Sequence, residues 1–153
     1  MPRTMSPERE REYSELHGYL DFYSTHVMGI DPADPVHPTN LGRGIAAKFG
    51  RSKALVGLRQ AANDTVEQLR ERPPEYIRQL DASLLERNLL THSEVRRRYA
   101  SSYKKLLARG RISTETEFYL VAGILADGGS HASSDERARL EQLYAQFEAR
   151  PNT

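Results

Sequence analysis

The 153-residue sequence contains no cysteine. Disulfide bonds, thiolate zinc sites and a cysteine nucleophile are therefore excluded. The sequence also lacks a glycine-rich phosphate loop, a His-Glu-x-x-His motif and a Gly-x-Ser-x-Gly motif, which mark common classes of catalytic and cofactor-binding sites. We therefore expect a non-enzymatic protein without cofactor, metal or catalytic residues. The lack of cysteine and of an apolar leader at the N-terminus predicts a cytoplasmic protein.

Long hydrophobic segments are lacking as well. The most apolar stretch, residues 118–126, is far shorter than the roughly 18 apolar residues that span a bilayer, so we expect no membrane partner. Because it is apolar around the whole helical circumference, it predicts a buried helix. Thr114 and Glu117 form a capping-box pattern before it, and Gly128 follows it, which predicts a helix over residues 115–126.

Strand patterns are absent, since no stretch alternates apolar and polar residues with a period of two. Apolar residues recur instead at helical spacing, as at Tyr13, Leu16, Leu20 and Tyr23, which predicts amphipathic helices. Another helix is expected from a capping box at Thr91 to Gly110. The sequence thus predicts an all-α fold, a single domain over residues 1–153, with about six or seven helices around the buried helix at 115–126.

Charge is segregated along the chain although the net charge is only +1. Residues 1–39 carry −4, residues 40–111 carry +9, and residues 112–153 carry −4. A basic middle between acidic ends is typical of a basic binding surface. It is equally explained by acidic ends that pack beside the basic middle and neutralise it.

Residues 41–60 combine cations with a helix–glycine–helix pattern. Ala46 is small where a second helix would cross the first, Gly50 suits the turn, and Val56 would pack back on Ile45 and Phe49. This segment resembles the helix-turn-helix pattern of DNA-binding proteins, which implies that the start of the second helix enters the major groove. The segment has no Asp or Glu, and its candidate DNA contacts are Arg43, Lys48, Arg51, Lys53 and Arg59.

Two of these cations depart from the helix-turn-helix pattern, because Arg51 and Arg59 stand where aliphatic residues are usual. An ordinary helical corner therefore remains the alternative. A working motif requires Lys53 and Arg59 to be exposed on one face and Ala46 to be buried against Val56. Pairing of Arg51 and Arg59 with acidic residues of segment 1–39 would contradict it.

A second basic patch comprises residues 96–98 with Lys104, Lys105, Arg109 and Arg111. Arg97, Lys104 and Arg111 recur at every seventh position of the expected helix, so Arg97 and Lys104 are further candidates for DNA contact. The alternative is a solvated face of the helix. His92 lies in a capping box and is expected to be solvated.

The sequence favours a non-enzymatic binding protein, most specifically a DNA-binding protein that uses the helix-turn-helix-like segment at 41–60. The alternative is a helical protein–protein interaction module, such as an inhibitor, immunity or adaptor protein. In that case the basic middle of the chain would match an acidic protein partner. The sequence does not indicate the oligomeric state.

Overall fold

The structure is a computed structural model that describes residues 5–151. These residues form eight α-helices and no strand, which confirms the all-α prediction. The ends of the predicted domain, residues 1–4 and 152–153, lie outside the described residues. The helices are α1 (Pro7–Phe22), α2 (Pro38–Phe49), α3 (Arg51–Gln68), α4 (Pro74–Glu86), α5 (His92–Tyr99), α6 (Ser101–Arg109), α7 (Glu115–Ala126) and α8 (Ser134–Glu148).

The first helix follows the predicted apolar stripe. Ser6 caps α1 by accepting a hydrogen bond from the Arg9 amide, and Pro7 opens the helix. All four stripe positions predicted from Tyr13 to Tyr23 are buried. The helix continues into a π-helical turn, Tyr23–Val27. Helix α1 packs against α3, and the acidic side of α1 lies beside that helix.

One predicted helix is in fact two. The segment from Thr91 to Gly110 is broken at Ala100, whose φ of −72° and ψ of 121° are extended rather than helical. The result is the short helix α5 followed directly by α6, which Gly110 ends in the left-handed conformation. Residues 5–151 therefore form eight α-helices, one more than the six or seven that the sequence predicts.

The predicted helix at 115–126 is confirmed as α7, and both hydrogen bonds of its capping box are present. Leu120, Val121 and Ile124 are buried, whereas Tyr119 is exposed. The most completely buried element is α5, which packs against α3, α4 and α7. It joins the group formed by α1, α2 and α3 to the group formed by α7 and α8. Among residues 5–151, no helix has the length and apolar character needed to cross a membrane.

Candidate functional site

The joint between α2 and α3 is tighter than a helix-turn-helix. Gly50, with φ of 94° and ψ of 160°, is both the C-cap of α2 and the N-cap of α3. A helix-turn-helix separates its helices by three or four residues. Val56 is 59 % exposed, so the expected burial of Ala46 against Val56 is wrong. Ile45 and Phe49 also face outward instead of forming a small core.

Two of the five candidate cations in this segment are held by α1. Arg51 Nη1 lies 2.8 Å from Glu10 Oε2. Arg59 donates two hydrogen bonds to Glu12, at 3.0 Å from Nε and 2.6 Å from Nη2. The Arg59 hydrogen bonds lower the pKa of Glu12, with Tyr99 contributing a further hydrogen bond. These are the pairs with segment 1–39 that argue against a DNA-contacting role for Arg51 and Arg59.

The other three cations of this segment are exposed, but they do not form one row. Lys48 and Lys53 place their ammonium groups 5.3 and 5.6 Å from the centre of the Phe49 ring. Arg43 lies five residues before Lys48, on the other flank of α2, and hydrogen-bonds Asn40. Lys48 and Lys53 therefore form a small cationic pair around one aromatic ring.

Three arginines of the second basic patch, Arg97, Arg98 and Arg109, form ion pairs. Arg97 binds Glu94 at 2.8 Å and Glu136 at 3.1 Å. Arg98 binds the same Glu94 at 2.7 Å and Glu15 at 3.2 Å. Carboxylates of the acidic ends thus pair with five arginines of the basic middle. This agrees with the explanation in which the acidic ends pack beside the basic middle and neutralise it.

The predicted seventh-position row does not exist, because the chain changes direction at Ala100. Arg97 faces carboxylates on α5 and α8, whereas Lys104 lies exposed on α6. Arg109 binds Glu117 at 2.6 Å. The structure therefore does not bring Arg97 and Lys104 together with the candidates of segment 41–60 as a continuous surface.

Glu94 is the centre of this network, and its side chain is fully buried. Burial opposes its ionisation, but hydrogen bonds from Arg97, the His131 amide and Arg98 outweigh burial and lower its pKa. The expected capping box at Thr91 is therefore only half formed. Thr91 accepts from the Glu94 amide, while the Glu94 carboxylate is directed to the two arginines.

A stripe of large apolar side chains on α2 faces solvent. Leu41, Ile45 and Phe49 are 53 %, 41 % and 54 % exposed, and they follow one another at four-residue spacing on one side of the helix. The side of α2 that faces the core buries only Thr39. We call the stripe, together with Lys48 and Lys53, the α2 face. The sequence predicts Ile45 and Phe49 in a small core with Val56, whereas the structure exposes all three.

The loop before α2 makes turns and shows no metal-site geometry. Asp31 and Asp34 each accept a hydrogen bond from the amide two residues on, which is the usual role of Asp in a turn. His37 is buried and hydrogen-bonds Thr25 and Thr39. No group of three or more possible ligands for a metal ion occurs among the described residues.

Buried polar residues were not found from the sequence. His92, expected to be solvated, is fully buried, and Arg96 is nearly so. Asp81 accepts hydrogen bonds from the amide and hydroxyl of Ser93, and burial raises its pKa to about 6. No local signal marks these residues, because their burial depends on how α5 is surrounded by other helices.

Comparisons of this chain with protein-family models, with curated proteins and with solved structures find no match. The candidate site consequently depends on its own geometry. The feature of segment 41–60 that the structure leaves open to a partner is the α2 face.

Proposed function

We propose that this protein is a non-enzymatic helical interaction module that binds an acidic amphipathic helix of a partner protein through the α2 face. The observation that carries the proposal is the outward apolar stripe of Leu41, Ile45 and Phe49. An amphipathic helix normally turns its apolar stripe towards the core. The inverted orientation of α2 is typical of a helix that packs against another molecule.

The apolar stripe would contribute most of the binding energy. Full burial of one large apolar side chain contributes about 1.5–3 kcal/mol, and each of these side chains still exposes about half of its surface, so each could add roughly half of that in a complex. Single exposed apolar residues are common on protein surfaces, but three on successive turns of one helix form a continuous ridge. A ridge with four-residue spacing matches the way in which amphipathic helices pack against each other.

Charge around the ridge defines the chemistry of the partner. No acidic residue occurs from position 35 to position 63. Lys48 and Lys53 flank the Phe49 ring. A partner helix with carboxylates beside its own apolar stripe would therefore complement this face in both shape and charge.

A second copy of this chain fits the same face less well. Two copies meeting through α2 would bring Lys48 and Lys53 of one chain near the same lysines of the other. Like charges across an interface disfavour association. The proposal therefore commits to a different protein, and sedimentation of the purified chain as a monomer is expected.

DNA binding is the second candidate, because Arg43, Lys48 and Lys53 are exposed in a segment without carboxylates. Phosphate contact requires cations that are free to face the duplex backbone. Arg51 and Arg59 are engaged by Glu10 and Glu12, and the ridge between the lysines is apolar. These contacts favour a protein partner over a duplex.

The test is site-specific photo-crosslinking at two positions. A photoreactive residue replaces Ile45 in the α2 face, and the control carries it at Glu141, which is exposed on α8. We expect a protein adduct from position 45 and not from position 141 in an extract of the source cells. The adduct is then digested with protease or nuclease, which separates a protein from a nucleic-acid partner.

The captured partner must then be purified and its binding measured. We expect Phe49→Ser to weaken binding at least tenfold, since truncating an apolar anchor of an interface costs about 2 kcal/mol or more. Lys48→Glu with Lys53→Glu should also weaken binding, and replacing the partner's acidic residues by lysine should restore it. If the affinity for the partner were the same with Phe49→Ser, Lys48→Glu and Lys53→Glu as with wild type, the proposal would be contradicted.

The DNA candidate is measured in parallel by fluorescence anisotropy of a labelled mixed-sequence duplex at several salt concentrations. Phosphate contacts give a slope of log affinity against log salt of about −0.9 for each contact. Binding with such a slope, lost in Lys53→Glu but retained in Phe49→Ser, would favour DNA over the protein partner.

A further inference from the structure

A cleft of about 620 Å³ lies on another part of the molecule, between the end of α3, the start of α4 and the first turns of α6 and α7. This volume is within the range of small-molecule sites, about 300–1,000 Å³. Its wall includes Arg96 of α5 and Ser101, Ser102 and Lys105 of α6. None of the residues of the α2 face lines it.

Arg96 is an unusual residue in this wall. It is only 7 % exposed, and its Nε has no hydrogen-bond partner within the described residues. Its one hydrogen bond in that part of the chain runs from Nη2 to the Leu69 carbonyl oxygen at 3.2 Å. No carboxylate lies within ion-pair distance of it among residues 5–151, whereas its neighbours Arg97 and Arg98 each bind two. Burial lowers the pKa of Arg96, and the more distant charge of Asp81 offsets this only in part. A buried guanidinium without a carboxylate partner is costly unless an anion from outside neutralises it.

The N-terminus of α6 reaches the same cleft. The first amide groups of a helix have no partner within the helix, and they are usually satisfied by a capping side chain. The N-cap of α6 is Ala100, which supplies no side-chain hydrogen bond. Ser101 and Ser102, the first two residues of this nine-residue helix, line the cleft and bring the positive end of the helix to it.

We propose that this cleft binds a small molecule through a phosphate group, held by Arg96 and by the uncapped N-terminus of α6. The planar guanidinium of arginine matches phosphate oxygens in a two-pronged contact. Amides at a helix start donate to the same kind of group. Lys105, exposed on the same wall, adds a third positive charge.

The remaining charges of the cleft limit the size of the anion. On the side formed by the end of α3 and the turn after it, Arg70 and Arg72 are interspersed with Glu67 and Glu71, and Glu115 lines the cleft from α7, so a long polyanion such as a nucleic-acid strand would meet repulsion. Glu117 is occupied by Arg109 and by the amides of Ser113 and Thr114. The wall formed by α5 and α6 carries Arg96 and Lys105 and, among the described residues, no carboxylate, which favours a compact phosphate on a small molecule.

The test uses the full chain, inorganic phosphate as the probe and nitrogen-15 NMR at low ionic strength. We expect saturable shifts of the Ser101 and Ser102 amides and of the Arg96 side-chain N–H. The same titration with sodium chloride at matched ionic strength should not reproduce them. Shifts that grow linearly with phosphate and spread over all exposed cations would overturn the proposal.

Variants localise the effect. Arg96→Met keeps an unbranched apolar stem while removing the guanidinium, and it should weaken phosphate binding at least tenfold. The matched control is Arg87→Met, since Arg87 is exposed, stacks on Phe22 and lies outside the cleft. Equal affinities of wild type, Arg96→Met and Arg87→Met would overturn the assignment.

A second variant covers the case in which Arg96→Met does not fold. Ser101→Pro removes one amide donor at the first helical position, where proline is tolerated. The extended conformation of Ala100 is compatible with a following proline. We expect about fivefold weaker phosphate binding with an otherwise native spectrum. Unchanged affinity in Ser101→Pro would overturn the role of the α6 N-terminus.

Discussion

The Tyr19 hydroxyl lies 2.7 Å from Nδ1 of His92, and both residues are fully buried. The same hydroxyl is 2.8 Å from Thr65 Oγ1, which in turn donates its only proton to the Ala62 carbonyl. Tyr19 must therefore donate to Thr65, so Nδ1 of His92 carries a proton and donates to Tyr19. Nε2 is left as a buried lone pair without a partner among the described residues.

Protonation of His92 would destabilise the fold. A second proton would create an unpaired N–H in the core, and burial with the nearby Arg96 charge lowers the pKa of His92 well below its usual value. The stability that neutral His92 contributes is present above pH 6.5 and is lost as the pH falls, because the unfolded chain then binds a proton at this histidine and the native state does not. The loss should grow as the pH falls further below 6.5, by at most about 1.4 kcal/mol for each pH unit.

The measurement is urea unfolding of wild type, His92→Leu and His131→Gln across that range of pH. His131→Gln is the control, because it replaces an exposed histidine outside the core. The difference between wild type and His92→Leu isolates the histidine from Asp81, whose raised pKa acts with the opposite sign. A difference that stays constant with pH would contradict the assignment of His92.

Glu94 should be among the most sensitive positions of the chain. Glu94→Gln leaves Arg97 and Arg98 without the carboxylate that they share, and we expect a loss of about 3 kcal/mol in the free energy of unfolding. Because the pKa of Glu94 is lowered, this contribution is lost as the pH falls below 4.5. Glu75→Gln, in an exposed pair with Arg78, should change stability by less than about 0.5 kcal/mol. Equal effects of the two substitutions would refute the central role of Glu94.

Gly50 and Gly57 lie near each other in sequence but should respond to alanine in opposite ways. Gly50 has a φ of 94°, which disfavours any side chain, so Gly50→Ala should destabilise the protein by about 1–3 kcal/mol. Gly57 lies inside α3 with open space around it, so Gly57→Ala should stabilise by about 0.5–1 kcal/mol. The melting temperatures of both variants test the single-residue joint at Gly50. If the two substitutions shifted the melting temperature in the same direction, this description of the joint would be contradicted.

The outward orientation of α2 predicts that its apolar ridge is dispensable for folding. Each of the single variants Leu41→Ser, Ile45→Ser and Phe49→Ser should lose no more than about 1.5 kcal/mol of stability, since about half of each side chain already lies in water. Leu55→Ala on α3, where the side chain is fully buried, should cost about 2–5 kcal/mol. If all three single variants unfolded as readily as Leu55→Ala, the ridge would be part of the core.

Helix boundaries were predictable where the sequence carries a backbone signal. The Thr114 capping box, Gly50 and Gly110 mark helix ends for local reasons, since they supply a hydrogen bond or a favourable backbone conformation. The break at Ala100 has no such signal, because alanine is the best helix former. The two helices that meet there have different sets of neighbours, since α5 packs against α3, α4 and α7, whereas α6 packs mainly against α7.

The functional surface was less predictable than the fold. An apolar spacing identifies one side of a helix but not what covers that side, so Ile45 and Phe49 were assigned to the core. Cations in the sequence do not disclose their partners either. Arg59 meets a carboxylate 47 positions away, a distance at which local patterns carry no information.

The helix α5 presents polar groups to the core at His92, Ser93, Glu94 and Arg96. Hydrogen bonds depend on direction, whereas apolar contacts tolerate small rotations of a helix. A turn of α5 about its own axis would break bonds to Tyr19, Asp81 and Leu69 together. The hydrogen bonds of this short helix therefore fix its rotation relative to its neighbours. A packing of the bundle with α5 rotated would lose these bonds and would be higher in free energy than the native one.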